Sequence, residues 1–348
     1  MKKVRVIGAG LIGTSIALGL AGKGIAVKMV DSDQARAGLA QDLVGEAFEG
    51  PAELVIFALP SSYLSKVIVA EFALNPQATF MDIGSTKTKP QGEIDTLPGL
   101  AARFCGTHPM AGREIGGPEG ARADLFDGRV WIYTPTAQSQ DEVIATVLEL
   151  IALLNATPIK MDAAGHDAAV ALISHLPQIS ASLLAKQLLR GDESWMALAG
   201  QGLKDATRIA ASEPSLWQEI ISANRGEIRP LLLNLEKDLH QLITSLDEST
   251  AIESVIADGR LGRKRIPGKH GGRPRDYHFL PIVIEDKAGQ LAALFQECAI
   301  AGVNIEDLSI EHSPGQFTGL VTLALSRDDA EKLSKHLLSR GWKVHASS

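Results

Sequence analysis

Val4-Arg5-Val6-Ile7-Gly8-Ala9-Gly10-Leu11-Ile12-Gly13 is a β-branched run feeding a Gly-x-Gly-x-x-Gly turn, and an apolar, helix-forming stretch continues from it to Leu20. Strand, tight turn and helix in that order make the first half of a βαβ unit. In such a unit Gly8 permits the turn, Gly10 lets backbone approach a pyrophosphate, and Gly13 lets helix pack on strand. The unpaired N–H groups of the first helical turn, Leu11 and Ile12 among them, then face the phosphates. The glycine triplet alone is a weak signal. It gains weight from residues 26–30 (AVKMV), a second strand that ends at Asp31, 18 residues past Gly13. A carboxylate there holds a ribose 2′-hydroxyl and repels a 2′-phosphate. Ser32 and Asp33, not a cation, follow it, so the expected cofactor is NAD+.

A different reading of the opening has to be met. Met1-Lys2-Lys3 and the uncharged run over residues 6–22 imitate a secretory leader. Glycines at turn spacing interrupt that run and a matched strand with a terminal acid follows, so it reads as part of the fold.

Bulk properties narrow the remainder. A chain of 348 residues, 45% hydrophobic and 22% charged, is expected to form two or three domains with ordinary cores. A net charge of −7 argues against a general nucleic-acid binder. Cys105 and Cys298 have neither metal-type spacing nor the look of a disulfide framework. No uninterrupted apolar run reads as a membrane span. The expectation is a cytoplasmic protein with no metal, nucleic-acid or membrane partner.

The α/β rhythm continues beyond Asp31. Residues 53–59 (ELVIFAL), 78–83 (ATFMDI), 103–107 (RFCGT) and 129–133 (RVWIY) read as strands, with a short helix over 63–70. Strands alternating with helices imply a mainly parallel, doubly wound sheet. Such sheets bind ligands beyond the carboxyl ends of their strands. Leu59 and Pro60, Ser85, and His108 therefore fall on the rim where a nicotinamide would lie. From residue 141 the pattern turns helical: 141–155, a long segment over 161–189 with Pro177 as a kink, then 195–212, 214–224 and 228–246. This region is apolar enough that dimerisation through helices is expected.

Residues 259–275 (GRLGRKRIPGKHGGRPR) change character, with seven Lys/Arg, five Gly, two Pro and no acid. Given the net negative charge they read as a solvated linker rather than a basic arm. Beyond them the pattern strand, helix, strand, strand, helix, strand over 277–345 is the ferredoxin-like βαββαβ order. The domains expected are thus 1–160 for dinucleotide binding, 161–258 helical, 259–275 linker, and 276–348 α+β.

Three constellations could carry chemistry. Asp82-Ile83-Gly84-Ser85-Thr86-Lys87 follows a strand, and Ser85 is either a helix cap or a hydroxyl aimed at a ligand. Gly106-Thr107-His108-Pro109-Met110-Ala111-Gly112 holds His108 extended before proline, off the end of a strand. A neutral imidazole there suits taking a proton from a hydroxyl being oxidised. On the long helix Asp167, Ser174 and Gln178 recur on or near one face, with His175 a step round. Further on, Arg208 in GLKDATRIA offers a fork for carboxylate.

Together DIGSTK, THPMAG, the run MDAAGHDAAVALISHLPQISASLLA (161–185) and GLKDATRIAASEPSLWQEIISANR (202–225) resemble the prephenate dehydrogenase family over roughly residues 1–250. FLPIVIEDKAGQLAALF and AGVNIEDLSIEH resemble an ACT domain, a module that commonly binds amino acids as regulators. The resemblance implies a Rossmann-type domain, an all-α helical dimerisation domain and a C-terminal ACT domain. It implies oxidative decarboxylation of prephenate to 4-hydroxyphenylpyruvate and CO2 with NAD+, in tyrosine biosynthesis. It makes His108 the group that polarises the ring hydroxyl and Ser85 the residue that orients it. Arg208 becomes the carboxylate clamp, with Ser174, His175, Gln178 and Trp217 lining the substrate site. Gly8, Gly10, Leu11, Ile12, Gly13, Asp31, Leu59 and Pro60 hold the cofactor. Gly289 and Asn304 fall where ACT modules take an effector, with tyrosine expected.

Two departures stand out. Many members read Ser-His-Leu-Pro-His where this chain has Gln178, and Arg113 stands where a serine is frequent. Arogenate, the amino analogue, is therefore an open alternative substrate. The same scaffold also serves hydroxyacid and imine oxidoreductases, and a non-catalytic dinucleotide-binding regulator would share the glycine motif.

Overall fold

The computed structural model describes residues 1–97, 99–113, 115–266, 277–312 and 317–345. The chain forms two compact units, Met1–Lys237 and Asp238–Ser348. The first begins with β1 (Lys3–Ile7), α1 (Leu11–Ala21), β2 (Ala26–Val30), α2 (Gln34–Val44), β3 (Leu54–Phe57), α3 (Ser61–Leu74), β4 (Thr79–Asp82) and α4 (Thr88–Asp95). It continues through β5 (Phe104–Pro109), β6 (Val130–Pro135), α5 (Asp141–Leu153) and β7 (Thr157–Lys160).

These strands make one seven-stranded sheet in the order β2-β1-β3-β4-β5-β6-β7. The first five pair in parallel, β6 runs antiparallel to β5, and β7 is parallel to β6. Both faces are covered. Along β3, Leu54 and Ile56 pack with α1 and α5 residues such as Ile16, Leu20, Val147 and Ile151. Val55 and Phe57 point the other way, to Leu64 and Ile68 of α3 and Ile94 of α4. An apolar run buried on both sides is what a parallel sheet under two helical layers requires. The strand order reverses between β1 and β3, and a crevice opens at such a switch point.

The helical part of this unit differs from its sequence reading in two places. The long helix spans Ala163–Arg190 and is apolar and long enough to cross a membrane by length and composition. It is not uniform: α6 (Ala163–Val170) gives way to a π-helical stretch, Ala171–His175, before α7 (Leu176–Gln187). Pro177 lacks an N–H and its ring crowds the carbonyl four residues back, so the wider turn sits where an α-helical bond would be lost. Residues 195–212, expected as one helix, are instead a 3-10 turn (Glu193–Leu198), α8 (Gln201–Thr207) and a second 3-10 turn (Arg208–Ala211). Gly200 and Gly202 lower the helical preference at that break. Then come α9 (Pro214–Ala223) and α10 (Arg225–Thr244), the latter running on into the second unit.

In the second unit α11 (Ser249–Lys264) overrides the expected linker start at residue 259. Ile252, Val255 and Ile256 share one helical face just ahead of the basic segment, and Arg263 and Lys264 suit a helix C-terminus. Linker residues 267–275 lie outside the described residues. Next come β8 (His278–Glu285), α12 (Gln290–Ala301), β9 (Asp307–His312), β10 (Thr318–Leu325), α13 (Arg327–Ser339) and β11 (Lys343–Val344). They form an antiparallel sheet in the order β11-β8-β10-β9. Alternate residues Leu280, Ile282, Val321 and Leu323 pack on Leu294 and Cys298 of α12 and Leu333 and Leu337 of α13.

Candidate active site

At the β1–β3 crevice the backbone approaches itself as closely as it can. Gly8 has φ +111, and a Cβ there would lie 2.1 Å from the Ala58 carbonyl oxygen, next to Leu59 and Pro60. A Cβ on Gly13 would meet the Gly8 carbonyl oxygen at 2.1 Å and the Ala58 Cβ at 2.9 Å, so α1 seats directly on the turn. Gly10 is different: a Cβ there would meet nothing within 4 Å. It caps α1 with no side-chain hydrogen bond, beside the first-turn residues Leu11 and Ile12. The open face over Gly10 and a helix start without a side-chain cap fit a pyrophosphate. Asp31 accepts the Ala9 N–H at 2.7 Å and the Asp33 N–H at 2.9 Å, which fixes its carboxylate beside the glycine turn.

Two strands away a polar cluster is buried at the carboxyl ends of β4 and β5. The Lys87 ammonium forms an ion pair with Asp82 and donates to the Thr107 carbonyl at 2.6 Å, and both ionic side chains are almost fully buried. Asp82 also accepts the Gly84 N–H at 2.9 Å, and the Thr107 hydroxyl donates to the Asp82 carbonyl at 2.7 Å. Gly106 leaves room for this packing, since a Cβ would come 3.3 Å from the Lys87 stem and 2.6 Å from the Thr134 hydroxyl. Burial pulls the Lys87 pKa down, and Asp82 opposes it.

His108 lies within β5 rather than beyond it, paired in register with Ile132 of β6. The antiparallel partner extends the strand over residues that Pro109 already held extended. Its Nδ1 is 2.9 Å from His166 Nε2 on α6, and His166 Nδ1 is 2.8 Å from Asp167 Oδ1. Asp167 in turn accepts the Lys87 N–H and the Thr88 N–H, each at 2.8 Å. Ser85, half-buried, sits in the loop just before those amides. Burial, then the neighbouring His166 and Lys87, hold the His108 pKa well below its ordinary value, so the ring is neutral near pH 7. Burial alone would raise Asp167, but His166 and the Thr88 and Lys87 amides bring its carboxyl below the usual range.

The substrate-side residues separate by depth. His175 is 1% exposed, its Nδ1 faces the Asn224 amide at 3.2 Å, and its ring meets Trp217 edge-on at 6.1 Å. Asn224 also donates to the Asp167 carbonyl at 2.8 Å, joining α9 to α6. Gln178 is buried and donates to the Ile209 carbonyl at 3.0 Å, which ties α7 to the turn that begins at Arg208. Ser174 and Trp217 are half-buried and Arg208 is exposed. The expected order on the long helix is thus altered: the π-helical stretch turns His175 inward and leaves Ser174 nearer the surface. Arg113, exposed, donates to the Gly120 carbonyl at 2.7 Å.

His166 and Asn224 were not among the residues singled out from the sequence, and Asp82 and Lys87 entered only as the ends of the segment around Ser85, with no role of their own. Only His166-Asp167 left a trace: two adjacent polar residues in a run of alanines and glycine have to find partners if that helix is buried. In the second unit Gly289, at φ +89, caps α12 and Asn304 donates to Glu306 at 3.1 Å.

The family descriptions "Prephenate dehydrogenase, nucleotide-binding domain" and "Prephenate dehydrogenase, dimerization domain" match residues 16–160 and 162–256. They meet between β7 and α6. A Streptomyces niveus protein named "Probable prephenate dehydrogenase NovF" is 30% identical over 363 aligned positions, covering 99% of this chain and 100% of its own length. Prephenate dehydrogenase from Aquifex aeolicus, solved with hydroxyphenyl propionate and NAD+, is 25% identical. It superposes with a TM-score of 0.67 over 77% of this chain and 99% of its own. Synechocystis arogenate dehydrogenase is 27% identical, with a TM-score of 0.60 over 76% and 99%.

Proposed function

The chain belongs to the prephenate dehydrogenase family, and on that premise we infer that it converts prephenate to 4-hydroxyphenylpyruvate and CO2 using NAD+. The observation that carries this reading is the half-buried, neutral His108, whose Nδ1 is occupied by His166 while the ring stands at the carboxyl end of β5.

The chemistry needs little more. Loss of CO2 and of the ring carbon's hydrogen with its electrons leaves an aromatic ring that keeps its hydroxyl, so the protein has to orient the substrate and polarise one O–H. NAD+, when bound, would supply the hydride acceptor. Gly8, Gly10, Gly13, Leu11, Ile12 and Asp31 hold that cofactor, with Leu59 and Pro60 at the crevice wall. His108 takes up the hydroxyl proton as the ring carbon is oxidised and returns it to the phenolate oxygen once CO2 has left, and Ser85 orients the hydroxyl. Arg208 pairs with a substrate carboxylate. Ser174 and Trp217 line the site, while the buried His175 and Gln178 hold Trp217 and the Arg208 turn in place.

We extend the reading to assembly and control. The exposed apolar residues of the helical region, including Leu239, Ile243, Ile252 and Ile256, support a homodimer. The βαββαβ order of the second unit supports an ACT module with Gly289 and Asn304 at its effector site and tyrosine as effector.

Steady-state kinetics with prephenate and arogenate, each with NAD+ and NADP+, tests the assignment. NADH and CO2 should appear in equal amounts with prephenate; arogenate as the better substrate would move the assignment to the amino analogue, and no turnover of either would reject it. His108→Asn should lower kcat by roughly 10²–10⁴ with NAD+ affinity kept. A chain ended after Lys264 should keep turnover and lose any tyrosine response.

A further inference from the structure

We propose that His166 is a positioning residue that fixes His108 as its Nδ1–H tautomer, leaving His108 Nε2 as the proton-accepting atom. The proposal deepens the reading of His108 as the base and rests on it.

The argument follows the protons from the carboxylate outward. Asp167 accepts two backbone N–H groups, one on each oxygen, so it is ionised and acts only as an acceptor. His166 Nδ1, 2.8 Å from Asp167 Oδ1, therefore donates. With a single N–H on the His166 ring, that proton is spent on Asp167 and Nε2 has a lone pair, which is the premise the experiment below tests. His108 Nδ1, 2.9 Å from that lone pair, has to donate in turn. The other tautomer of His108 would set two lone pairs face to face. The neutral His108 ring thus has its proton on Nδ1 and its basic lone pair on Nε2. The arrangement parallels the way a buried carboxylate selects a catalytic histidine tautomer in hydrolytic triads, with one imidazole more in the chain.

Asp167 has a second duty. The amides it holds belong to Lys87 and Thr88, just after the Ser85 loop. One carboxylate therefore sets both the proton position on His108 and the placement of the hydroxyl-orienting loop.

Nitrogen NMR on the full chain with 15N-labelled histidine and NAD+ reads the tautomer directly. The wild type should show a protonated Nδ1 and a bare Nε2 on His108. His166→Leu removes the acceptor; the pattern should collapse to a mixture and kcat should fall roughly 10- to 100-fold with KM little changed, the range seen when an orienting partner is lost. His166→Gln, whose side-chain oxygen accepts the same proton, should keep the pattern and recover much of the rate. Thermal melting and NAD+ affinity report whether each variant is folded; if the leucine variant is not, the wild-type and glutamine spectra decide. A wild-type His108 protonated on Nε2, or a folded His166→Leu with pattern and kcat unchanged, overturns the proposal. The spectrum does not depend on turnover. A protonated Nδ1 in a chain inactive on both substrates upholds the positioning role and overturns the substrate assignment, whereas turnover with the inverted pattern does the reverse.

Discussion

The glycine crevice at β1 and β3 and the imidazole chain at β5 and α6 are specified by different means. In the crevice everything depends on backbone: a positive φ at Gly8, contact too close for a Cβ at Gly8 and Gly13, and open space over Gly10. Its key residues lie between positions 8 and 13, with one carboxylate beyond. The imidazole chain depends on side chains brought from far apart, with His108 and His166 58 residues distant and Lys87 and Asp167 80 distant. The crevice is a local property of the chain, whereas the proton pathway exists only once the sheet and the helical region have docked. Backbone sites should tolerate chemistry and reject volume; buried side-chain sites should tolerate little change in charge.

The largest expected effect tests the second half of that contrast. Lys87→Met leaves the Asp82 carboxylate buried without its cation, and breaking one partner of a buried pair costs about 3–5 kcal/mol. Chemical denaturation should show that loss, and the double variant Lys87→Met/Asp82→Asn should recover part of it. A single variant as stable as the wild type would mean the pair contributes nothing.

The next test separates folding from binding in the crevice. Gly8→Ala places a Cβ against the Ala58 carbonyl at a left-handed φ and should destabilise the fold by about 1–3 kcal/mol before any contact strain is added. Gly10→Ala meets no protein atom, so the melting temperature should barely move while NAD+ affinity falls, because the added methyl occupies the open face. Equal effects on stability from the two would erase the distinction between a structural and a ligand-facing glycine.

The smallest effect is graded by pH. Burial lowers the His175 pKa from 6.5 to about 4, and Asp167 only partly opposes it. Between those values the unfolded chain binds the extra proton and the folded chain does not. Stability from this site is therefore complete above the unfolded value and is lost as pH falls through the folded one, by at most about 1.4 kcal/mol per unit. Denaturation at about pH 7 and about pH 5 should show the slope, and His175→Gln should flatten it.

What the sequence disclosed follows the same division. The crevice was legible because Gly8, Gly10, Gly13 and Asp31 announce a conformation, and the placement of His108 and Ser85 near the carboxyl ends of β5 and β4 because the strand pattern locates those ends. His166 was not, since a histidine among alanines carries no mark of the partner it will meet. Lys87 reads as a solvated cation until β4 and β5 close around it. The helix over 249–264 was hidden by its composition, because a basic, glycine-containing segment resembles a linker.

The π-helical stretch over Ala171–His175 carries a consequence of its own. A π turn inserts about one residue into a helix, and each α-helical residue advances the side chains by roughly 100°. Deleting the exposed Leu172 would remove no functional group the site uses. It would restore an even helical phase and rotate everything from Leu176 onward, carrying Gln178 off the Ile209 carbonyl and the Arg208 turn off its support. In this helix a frame shift of one position would separate the Arg208 turn from the His108 chain with every side chain of either still present.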